Sequence, residues 1–510
     1  MFCLLGQSGA FFVSNFCLAN FYISCLLVLG RYFNLMPDSL IPVVDLFAGP
    51  GGLGEGFSRV DDSEGKKVFK TVISIEKDPH ARQTLRLRAY YRHFKNCGKK
   101  LPDYFFSLIR SGNSKEKTSA HKLLSQDPLW NEVCLEVPEW TKDGKSSCEL
   151  GKDNDHIYSA IRERLQDAKN WVLIGGPPCQ AYSLVGRSRM RNHDGSKHDP
   201  RHFLYREYLG VIKEFKPAIF VMENVKGLNT AKVEGRPILP MIKRDLEAAG
   251  YDLRSIVDPR GSDFMVKSEL FGVPQTRHRM IIIGIRKTAK CVKTKLLPIV
   301  QNPDVENVCH ALAGLPRLSA LRSDRTRDSY KITQKGAAFR ECSFSCRFKS
   351  ENLRNFISSS SSPLSGVLLN HEARSHMPED LRRYKWWVDN ATNLSSPKLN
   401  GKIPKRFLPK HSNSSASGAT AFSDRFKVQV KDRPSGTITS HISKDGHYYI
   451  HYDRKQARSF SVREAARIQT FPDDYFFMGN RTQQYHQVGN AVPPYLAYQI
   501  GQRVWEALRG

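Results

Sequence analysis

Acidic residues are few in this chain. Its 510 residues include 50 Asp and Glu against 78 Lys and Arg, so the formal net charge is +28 and the isoelectric point is near 9.7. An excess of this size suits a polyanionic partner, and nucleic acid is the first candidate. Basic faces also occur on ribosome-associated and membrane-surface proteins. Net charge alone therefore does not identify the partner, and sequence motifs are needed as well. The length allows two or three domains.

The cysteines form no regular pattern. There are eleven, and the closest pair, Cys342 and Cys346, has no second pair at the spacing of a structural zinc site. We therefore expect no bound metal. Free thiols without a disulfide framework indicate a reducing cytosol. The chain also lacks a recognisable nuclease motif and any feature of hydride transfer.

Charged residues are absent from positions 1–30. This segment is long enough to span a membrane, but polar residues such as Gln7 and Asn15 interrupt it. It also lacks the basic n-region and the cleavage site of a signal peptide. We interpret residues 1–36 as a hydrophobic extension, expect the native protein to begin at Met36, and expect no stable membrane association. The mass of the intact protein from its native host tests this interpretation.

A glycine-rich turn, FAGPGGLGEGF, follows the first predicted strand, Ile41–Val44. Its glycines fit G-x-G-x-x-G between a strand and a helix. Glu76 ends the next strand, Thr71–Ile75, about twenty residues beyond, which is the distance expected for an acid that binds ribose hydroxyls. Taken alone, this pattern admits NAD, FAD or S-adenosylmethionine. The glycines that fit the pattern are Gly49, Gly51 and Gly54.

A cysteine follows a second predicted strand. Trp171–Ile174 is a short apolar run, and the sequence GGPP ends it abruptly, because neither paired glycines nor prolines continue a ladder. Cys179 comes next, at the carboxyl end of the strand, where open α/β sheets keep their ligands. The prolines restrict the backbone, as a positioned nucleophile requires. A lone cysteine is more often a small buried hydrophobic residue than a nucleophile. The prediction that Cys179 is a nucleophile therefore depends on the residues around it.

Ionisable side chains accompany two further strands. Glu223 directly follows the apolar run Ala218–Met222, so its carboxylate would point into the same crevice as Cys179. Three polar residues alternate just before the strand Met280–Ile285, and alternate residues of an extended segment share one face. The planar guanidinium of arginine suits phosphates and polar base edges. The alternating residues are Gln275, Arg277 and Arg279.

Together these segments resemble the DNA cytosine-5 methyltransferases, and in particular those of bacterial restriction–modification systems. The matching motifs are DLFAGPGG, GGPPCQAYS, ENV, QTRHR, REAARIQTFPDDY and QVGNAVPP. The resemblance covers Val43–Ile285 and Ser461–Val504. The segment between them matches weakly, as expected of a region that specifies a DNA sequence.

The resemblance implies an α/β fold with two domains. One is a Rossmann-like S-adenosylmethionine-dependent methyltransferase domain, with a mostly parallel sheet and helices on both faces. The other is a smaller, irregular target-recognition domain, in which we expect strands at Thr437–Thr439 and Tyr448–His451. We expect a polar, irregular surface insertion at about 95–152. The predicted domain bounds are 37–286 and 457–510 for the two parts of the catalytic domain, and 287–456 for the recognition domain.

The resemblance also implies site residues. An acid after the third strand would touch the adenine of the cofactor, and both Glu149 and Asp155 remain candidates. The basic segment from Arg187 to Arg206 would close over DNA. The residues implied for S-adenosyl-L-methionine are Phe47, Gly49, Gly51, Gly52, Glu76, Pro177 and Asn490. Those implied for DNA contact are Gln180, Ser183, Arg187 and Gln275.

The implied chemistry is covalent. Cys179 would add to carbon 6 of a cytosine, so that carbon 5 becomes able to accept a methyl group. A protonated Glu223 at nitrogen 3 would neutralise the charge that develops on the ring. Arg277 or Arg279 would hold the carbonyl oxygen of the base, and the base that removes the carbon 5 proton is unidentified. The target has to be flipped out of the duplex.

Two alternatives remain: an RNA cytosine-5 methyltransferase that acts on transfer RNA, and a non-catalytic DNA-binding protein on this scaffold. The large domain between Gln275 and Ser461 favours duplex DNA. Intact Cys179 and Glu223 argue against a non-catalytic protein. We expect a monomeric restriction–modification or orphan enzyme in a bacterial cytoplasm.

Overall fold

A computed structural model describes most of the chain. The described residues are 40–110, 114–142, 145–178, 204–233, 235–289, 292, 296–302, 304–318, 321–322, 339–341, 345–358, 361–393, 404–407 and 426–509. Outside them lie the predicted extension at 1–36 and four predicted site residues, which are Cys179, Gln180, Ser183 and Arg187. No helix in the described part is both long and apolar enough to cross a membrane.

A seven-stranded sheet forms the centre of the molecule. Its strands are β1 (Ile41–Leu46), β2 (Phe69–Ile75), β3 (Val172–Gly175), β4 (Ile219–Val225), β5 (Tyr251–Arg254), β6 (Met265–Lys267) and β7 (His278–Arg286). They lie in the order β6-β7-β4-β3-β1-β2, and β5 also pairs with β7. Strands β1 to β4 run parallel and β7 is antiparallel to β4. The predicted α/β fold with a mostly parallel sheet is confirmed.

Helices surround this sheet. The α-helices are α1 (Gly52–Phe57), α2 (Pro79–Asn96), α3 (Asp103–Arg110), α4 (Ser114–Ser125), α5 (Pro128–Glu136), α6 (Asn154–Leu165), α7 (Leu204–Phe215), α8 (Ile238–Ala248), α9 (Val308–Leu312), α10 (Glu351–Ile357), α11 (Pro378–Asn393), α12 (Val462–Ile468), α13 (Arg481–Asn490) and α14 (Pro494–Leu508). The 3₁₀ helices are Lys226–Thr230, Ser268–Phe271, Lys405–Phe407, Ser440–Ser443 and His447–Tyr449.

Short strands pair outside the main sheet. The pairs are Trp140–Lys142 with Lys145–Ser147, Lys232–Val233 with Arg236–Pro237, Gln275–Thr276 with Ser435–Gly436, Leu321–Arg322 with Ser375–His376, and Phe339–Glu341 with Val367–Leu369.

Both faces of the sheet are covered by apolar side chains. On one face, α6, α7 and α8 contribute buried residues such as Val211 and Ile242. On the other face, α1 and α14 pack together through residues such as Phe57 and Ile500. The last helix therefore covers the same face as the first. Strands buried on both faces read as continuous apolar runs, which is why they were predictable.

The prediction that the insertion at about 95–152 is irregular is wrong. This stretch contains α3, α4, α5 and a short hairpin, and α2 extends into it as far as Asn96. Phe105, Leu108 and Ile109 lie at helical spacing on α3 and are buried together against Tyr90 of α2. Lysines and other polar residues are frequent in this stretch, and they obscure the short apolar stripe in the sequence.

The strands predicted at Thr437–Thr439 and Tyr448–His451 are also wrong. Residues 437–439 are irregular. Tyr448 and Tyr449 end a 3₁₀ turn, and Ile450 after it makes only isolated β-bridges, with Val428 and Ser459. The backbone N–H of Ile438 donates to Gln275 Oε1 at 2.9 Å, and that of Thr439 donates to Tyr449 Oη at 3.0 Å. Because side chains take these two backbone N–H groups, no ladder forms at Thr437–Thr439.

Candidate functional site

Three neighbouring strands end at one edge of the sheet. Leu46 at the end of β1 lies beside Gly175 at the end of β3, and Gly175 lies beside Met222 of β4. Phe47 and Gly176 therefore leave the sheet side by side. The strand order reverses between β1 and β3, and ligands of open α/β sheets bind at such a switch point. The structure thus brings the predicted cofactor turn next to the loop that leads to Cys179.

The turn after β1 is shaped for close approach by a ligand. Phe47, Gly49 and Gly51 have φ angles of 55°, 58° and 89°. A Cβ on Gly52 would lie 2.2 Å from the carbonyl oxygen of Val492, so only glycine fits there. The final motif, QVGNAVPP, therefore packs directly against the turn.

Glu76 is fixed beside this turn at the end of β2. Its Oε2 accepts a hydrogen bond from the Gly49 N–H at 2.8 Å, and its Oε1 accepts one from the Asp78 N–H at 2.8 Å. Desolvation raises the pKa of Glu76, although the two N–H groups act in the opposite direction. The carboxylate is thus held in one orientation at the mouth of the turn.

Asn490 and the two acids proposed for the adenine occupy different surroundings. Asn490 is exposed at the end of α13, and its Nδ2 lies 3.2 Å from His486 Nδ1. Glu149 Oε1 lies 3.6 Å from Nζ of Lys77, the residue after Glu76. Asp155 is exposed in the first turn of α6. The structure therefore ties Glu149 to the neighbourhood of Glu76.

Glu223 and Arg279 form an ion pair at the same edge of the sheet. Arg279 Nε lies 2.8 Å from Glu223 Oε1, and the two side chains are only 14% and 12% exposed. A Cβ on Gly176 would lie 2.9 Å from Glu223 Oε2, so this glycine lets the carboxylate approach the loop. Asn224 Nδ2 donates to the carbonyl oxygen of Pro177 at 3.2 Å. The ENV element is thus tied to the diproline turn.

Arg277 differs from Arg279 in what it contacts. Its side chain is buried, and Nη1 donates to the carbonyl oxygen of Ile438 at 2.8 Å. Burial and the neighbouring Arg279 guanidinium lower the pKa of Arg277. Sequence alternation placed the two arginines on one face, but it could not show that one of them is bonded to a distant carbonyl group.

Gln275 is enclosed by protein. It is 0% exposed, and its Nε2 donates to the Ile468 carbonyl oxygen at 3.1 Å and to Gln469 Oε1 at 2.7 Å. Its Oε1 accepts the Ile438 N–H described above. The structure therefore does not bring this predicted DNA contact to the surface, because the amide is already used to join two parts of the chain.

Sequence reasoning did not single out Asp45, a buried acid at the end of β1. This carboxyl is 1% exposed, and neither of its oxygens has a hydrogen-bond partner among the described residues. Burial, followed by the charge of Glu76, raises the pKa of Asp45 to about 8. An acid inside the apolar run IPVVDL was the signal that could have found it.

Asp45→Asn should change how stability depends on pH. In the wild type the folded state keeps a proton on Asp45 that the unfolded chain releases near pH 4, so stability falls as pH rises towards 8. The slope from this group is about 1.4 kcal/mol per pH unit. The free energy of unfolding of the variant, relative to wild type, should therefore rise between pH 5 and about pH 8 and then level off. Urea unfolding across this range measures it, and a constant difference would contradict it.

Comparisons with known proteins identify a family model and relatives that match this chain. The model of the family "C-5 cytosine-specific DNA methylase" matches residues 151–506. Type II methyltransferase M.Bpa9945I of Bacillus paralicheniformis is 35% identical over 474 residues, which cover 92% of this chain and 99% of that protein. Type II methyltransferase M1.HphI of Haemophilus parahaemolyticus is 26% identical and covers 90% of this chain and 86% of its own.

One solved structure supports the fold. It is a prophage-encoded E. coli protein, described as a candidate DNA modification methyltransferase, with a TM-score of 0.55 and 20% identity. The alignment covers 92% of this chain and 100% of that one. No group of three or more potential metal ligands occurs among the residues that the structure describes.

Proposed function

This chain belongs to the family of C-5 cytosine-specific DNA methylases, and from that premise we propose that it methylates carbon 5 of cytosine in a specific duplex DNA sequence through a covalent bond to Cys179. The observation that carries the proposal is the Glu223–Arg279 ion pair, which lies against the turn that precedes Cys179. Acid, guanidinium and thiol would thus meet at one edge of the sheet.

The residues around the glycine turn suit S-adenosyl-L-methionine. Glu76, which is bonded to Gly49 of the turn, would accept hydrogen bonds from the ribose hydroxyls. Glu149, which contacts the neighbouring Lys77, would accept one from the adenine amine. The backbone at Phe47 to Gly52 would hold the amino acid part, with Pro177 and Asn490 at the margins. When bound, this cofactor supplies the methyl group.

The reaction begins with a thiolate. Cys179 Sγ bonds to carbon 6 of the extruded cytosine, and the ring electrons move towards nitrogen 3 and carbon 5. Glu223 places a proton at nitrogen 3, and Arg279 binds the carbonyl oxygen at carbon 2. Arg279 takes this role because Arg277 is bonded to Ile438. After carbon 5 is methylated, it loses its proton and the bond to Cys179 breaks.

Gln275 and Arg277 have a positioning role in this scheme. Both bond to the backbone of Ile438, through its N–H and its carbonyl group. They thereby hold the segment from Ser435 to Ser443 beside the base-binding arginine.

Duplex DNA would bind across the recognition domain at 287–456 and the basic segment near Arg187. We place the enzyme in a bacterial restriction–modification or orphan context, acting as a monomer in the cytoplasm.

Trapping the covalent intermediate tests this function. A duplex carrying 5-fluorocytosine at the target cannot lose its carbon 5 substituent, so the enzyme should remain bonded to it in the presence of S-adenosyl-L-methionine. Mass spectrometry of the digested adduct should locate the bond at Cys179. The same duplex with ordinary cytosine is the control and should be methylated without a stable adduct.

Three outcomes would contradict the proposal. One is the absence of an adduct in a preparation that methylates the ordinary duplex. Another is an adduct at a different cysteine. The third is methylation of transfer RNA but not of duplex DNA, which would indicate an RNA enzyme on the same fold.

A further inference from the structure

We propose that Tyr475 and Asp474 are positioning residues for the cofactor turn, so that the loop after α12 sets the affinity for S-adenosyl-L-methionine. We call residues 471–477 the brace. The inference rests on the proposed function, since it concerns the cofactor of that reaction. Both residues lie outside the glycine turn and far from it in the sequence.

Tyr475 holds the turn at its tip. The side chain is 1% exposed, and its hydroxyl donates a hydrogen bond to the carbonyl oxygen of Pro50, across a sequence separation of 425 residues. That carbonyl belongs to the same planar peptide unit as the Gly51 N–H, which donates to the Ala48 carbonyl oxygen at 2.9 Å. Both ends of this peptide are therefore fixed, and the positive-φ path of the turn is fixed with them.

Asp474 holds the helix that follows the turn. Arg88 of α2 contacts Glu55 of α1 through two hydrogen bonds of 2.9 and 2.6 Å. The same guanidinium lies 3.0 Å from Asp474 Oδ1 and donates to the Asp474 carbonyl oxygen at 3.0 Å. It also stacks over the ring of Tyr475, 4.7 Å from the ring centre. Arg59, just after α1, also pairs with Glu55 at 2.7 Å. Glu55, Arg59, Arg88 and Asp474 thus form one charged cluster.

The cluster is ionised despite its burial. Burial alone would raise the pKa of Glu55, but the Arg88 and Arg59 guanidiniums lower it to about 2. Paired and hydrogen-bonded charges in the interior allow few alternative arrangements, because any movement leaves one of them uncompensated. The orientation of α1 is therefore set by residues of α2 and of the brace.

The other side of the brace contacts the weakly matching part of the chain. The Asp473 N–H donates to the Ile357 carbonyl oxygen at 2.9 Å, and Ser358 Oγ donates to Asp473 Oδ2 at 2.8 Å. Arg463 donates to the carbonyl oxygens of Leu369 and Pro472, each at 2.9 Å. The brace is thus anchored independently of the turn, as a positioning element must be.

Tyr475→Phe tests the inference, because it removes the hydroxyl and keeps the ring. Calorimetric titration with S-adenosylhomocysteine should show a dissociation constant about 3- to 10-fold above that of wild type, as expected for one lost hydrogen bond. KM for S-adenosyl-L-methionine should rise by the same factor, while kcat at saturation and DNA affinity stay unchanged. Asp474→Asn, which removes one charge of the cluster, should shift the dissociation constant in the same direction.

Tyr251→Phe is the matched control. Tyr251 is also 1% exposed, and its hydroxyl donates to the Pro217 carbonyl oxygen at 2.8 Å, away from the turn. It should lower thermal stability but leave the cofactor affinity unchanged.

Equal cofactor affinity in Tyr475→Phe and wild type, or an equal loss in both tyrosine variants, would overturn the inference. If Tyr475→Phe binds S-adenosylhomocysteine more weakly than wild type, as expected, but wild type methylates no DNA, only the proposed function fails. Absence of binding by wild type would overturn both.

Discussion

Cys179→Ser should abolish methyl transfer, lowering turnover by a factor of about 10⁴ or more. The reaction needs a group that is partly ionised near neutral pH and adds readily to carbon 6. A thiol meets this requirement, whereas a serine hydroxyl stays protonated and no base is identified to activate it. The substitution removes little volume, so binding of S-adenosylhomocysteine and of target DNA should persist.

The measurement is transfer of a labelled methyl group to duplex DNA, together with direct binding of both ligands to the same preparation. Cys97→Ser is the control, since Cys97 is exposed at the C-terminal end of α2 and has no part in the proposed reaction. Its activity should equal that of wild type. Equal labelling by wild type and Cys179→Ser would end the covalent mechanism.

Glu223→Gln should lower kcat by about 10²- to 10⁴-fold, which is the usual contribution of a general acid. An amide cannot deliver a proton to nitrogen 3, so the negative charge that forms on the ring stays uncompensated. The variant also leaves Arg279 without its partner at 2.8 Å. We therefore expect some loss of stability beside the loss of rate.

Single-turnover kinetics at saturating DNA and cofactor separate these effects, because they report the chemical step alone. Glu269→Gln is the matched control: Glu269 Oε1 lies 2.8 Å from Nε2 of His278, the residue next to Arg279 on β7. That variant should lose a carboxylate–imidazole contact of similar length without loss of rate. A wild-type rate in Glu223→Gln would show that nitrogen 3 is not protonated by this residue.

Local signals made much of the catalytic domain predictable. The helix Leu204–Phe215 is predictable from the sequence, because its apolar residues recur at helical spacing. The strands β1, β3 and β4 were predictable as apolar runs, and GGPP marks the end of β3. The helices at about 95–152 were missed because their short apolar stripes are diluted by lysines and polar residues.

The amino-acid sequence by itself determined the family and the parallel sheet, and it supplied the candidate site residues, since these depend on short motifs and on periodicity. Tertiary structure alone decided that Arg279 pairs with Glu223 while Arg277 bonds to Ile438. It also buried Gln275 and brought Tyr475 to Pro50. The physical reason is that these contacts join segments far apart in the chain, and no periodicity or spacing within one segment encodes which partner its polar groups will find.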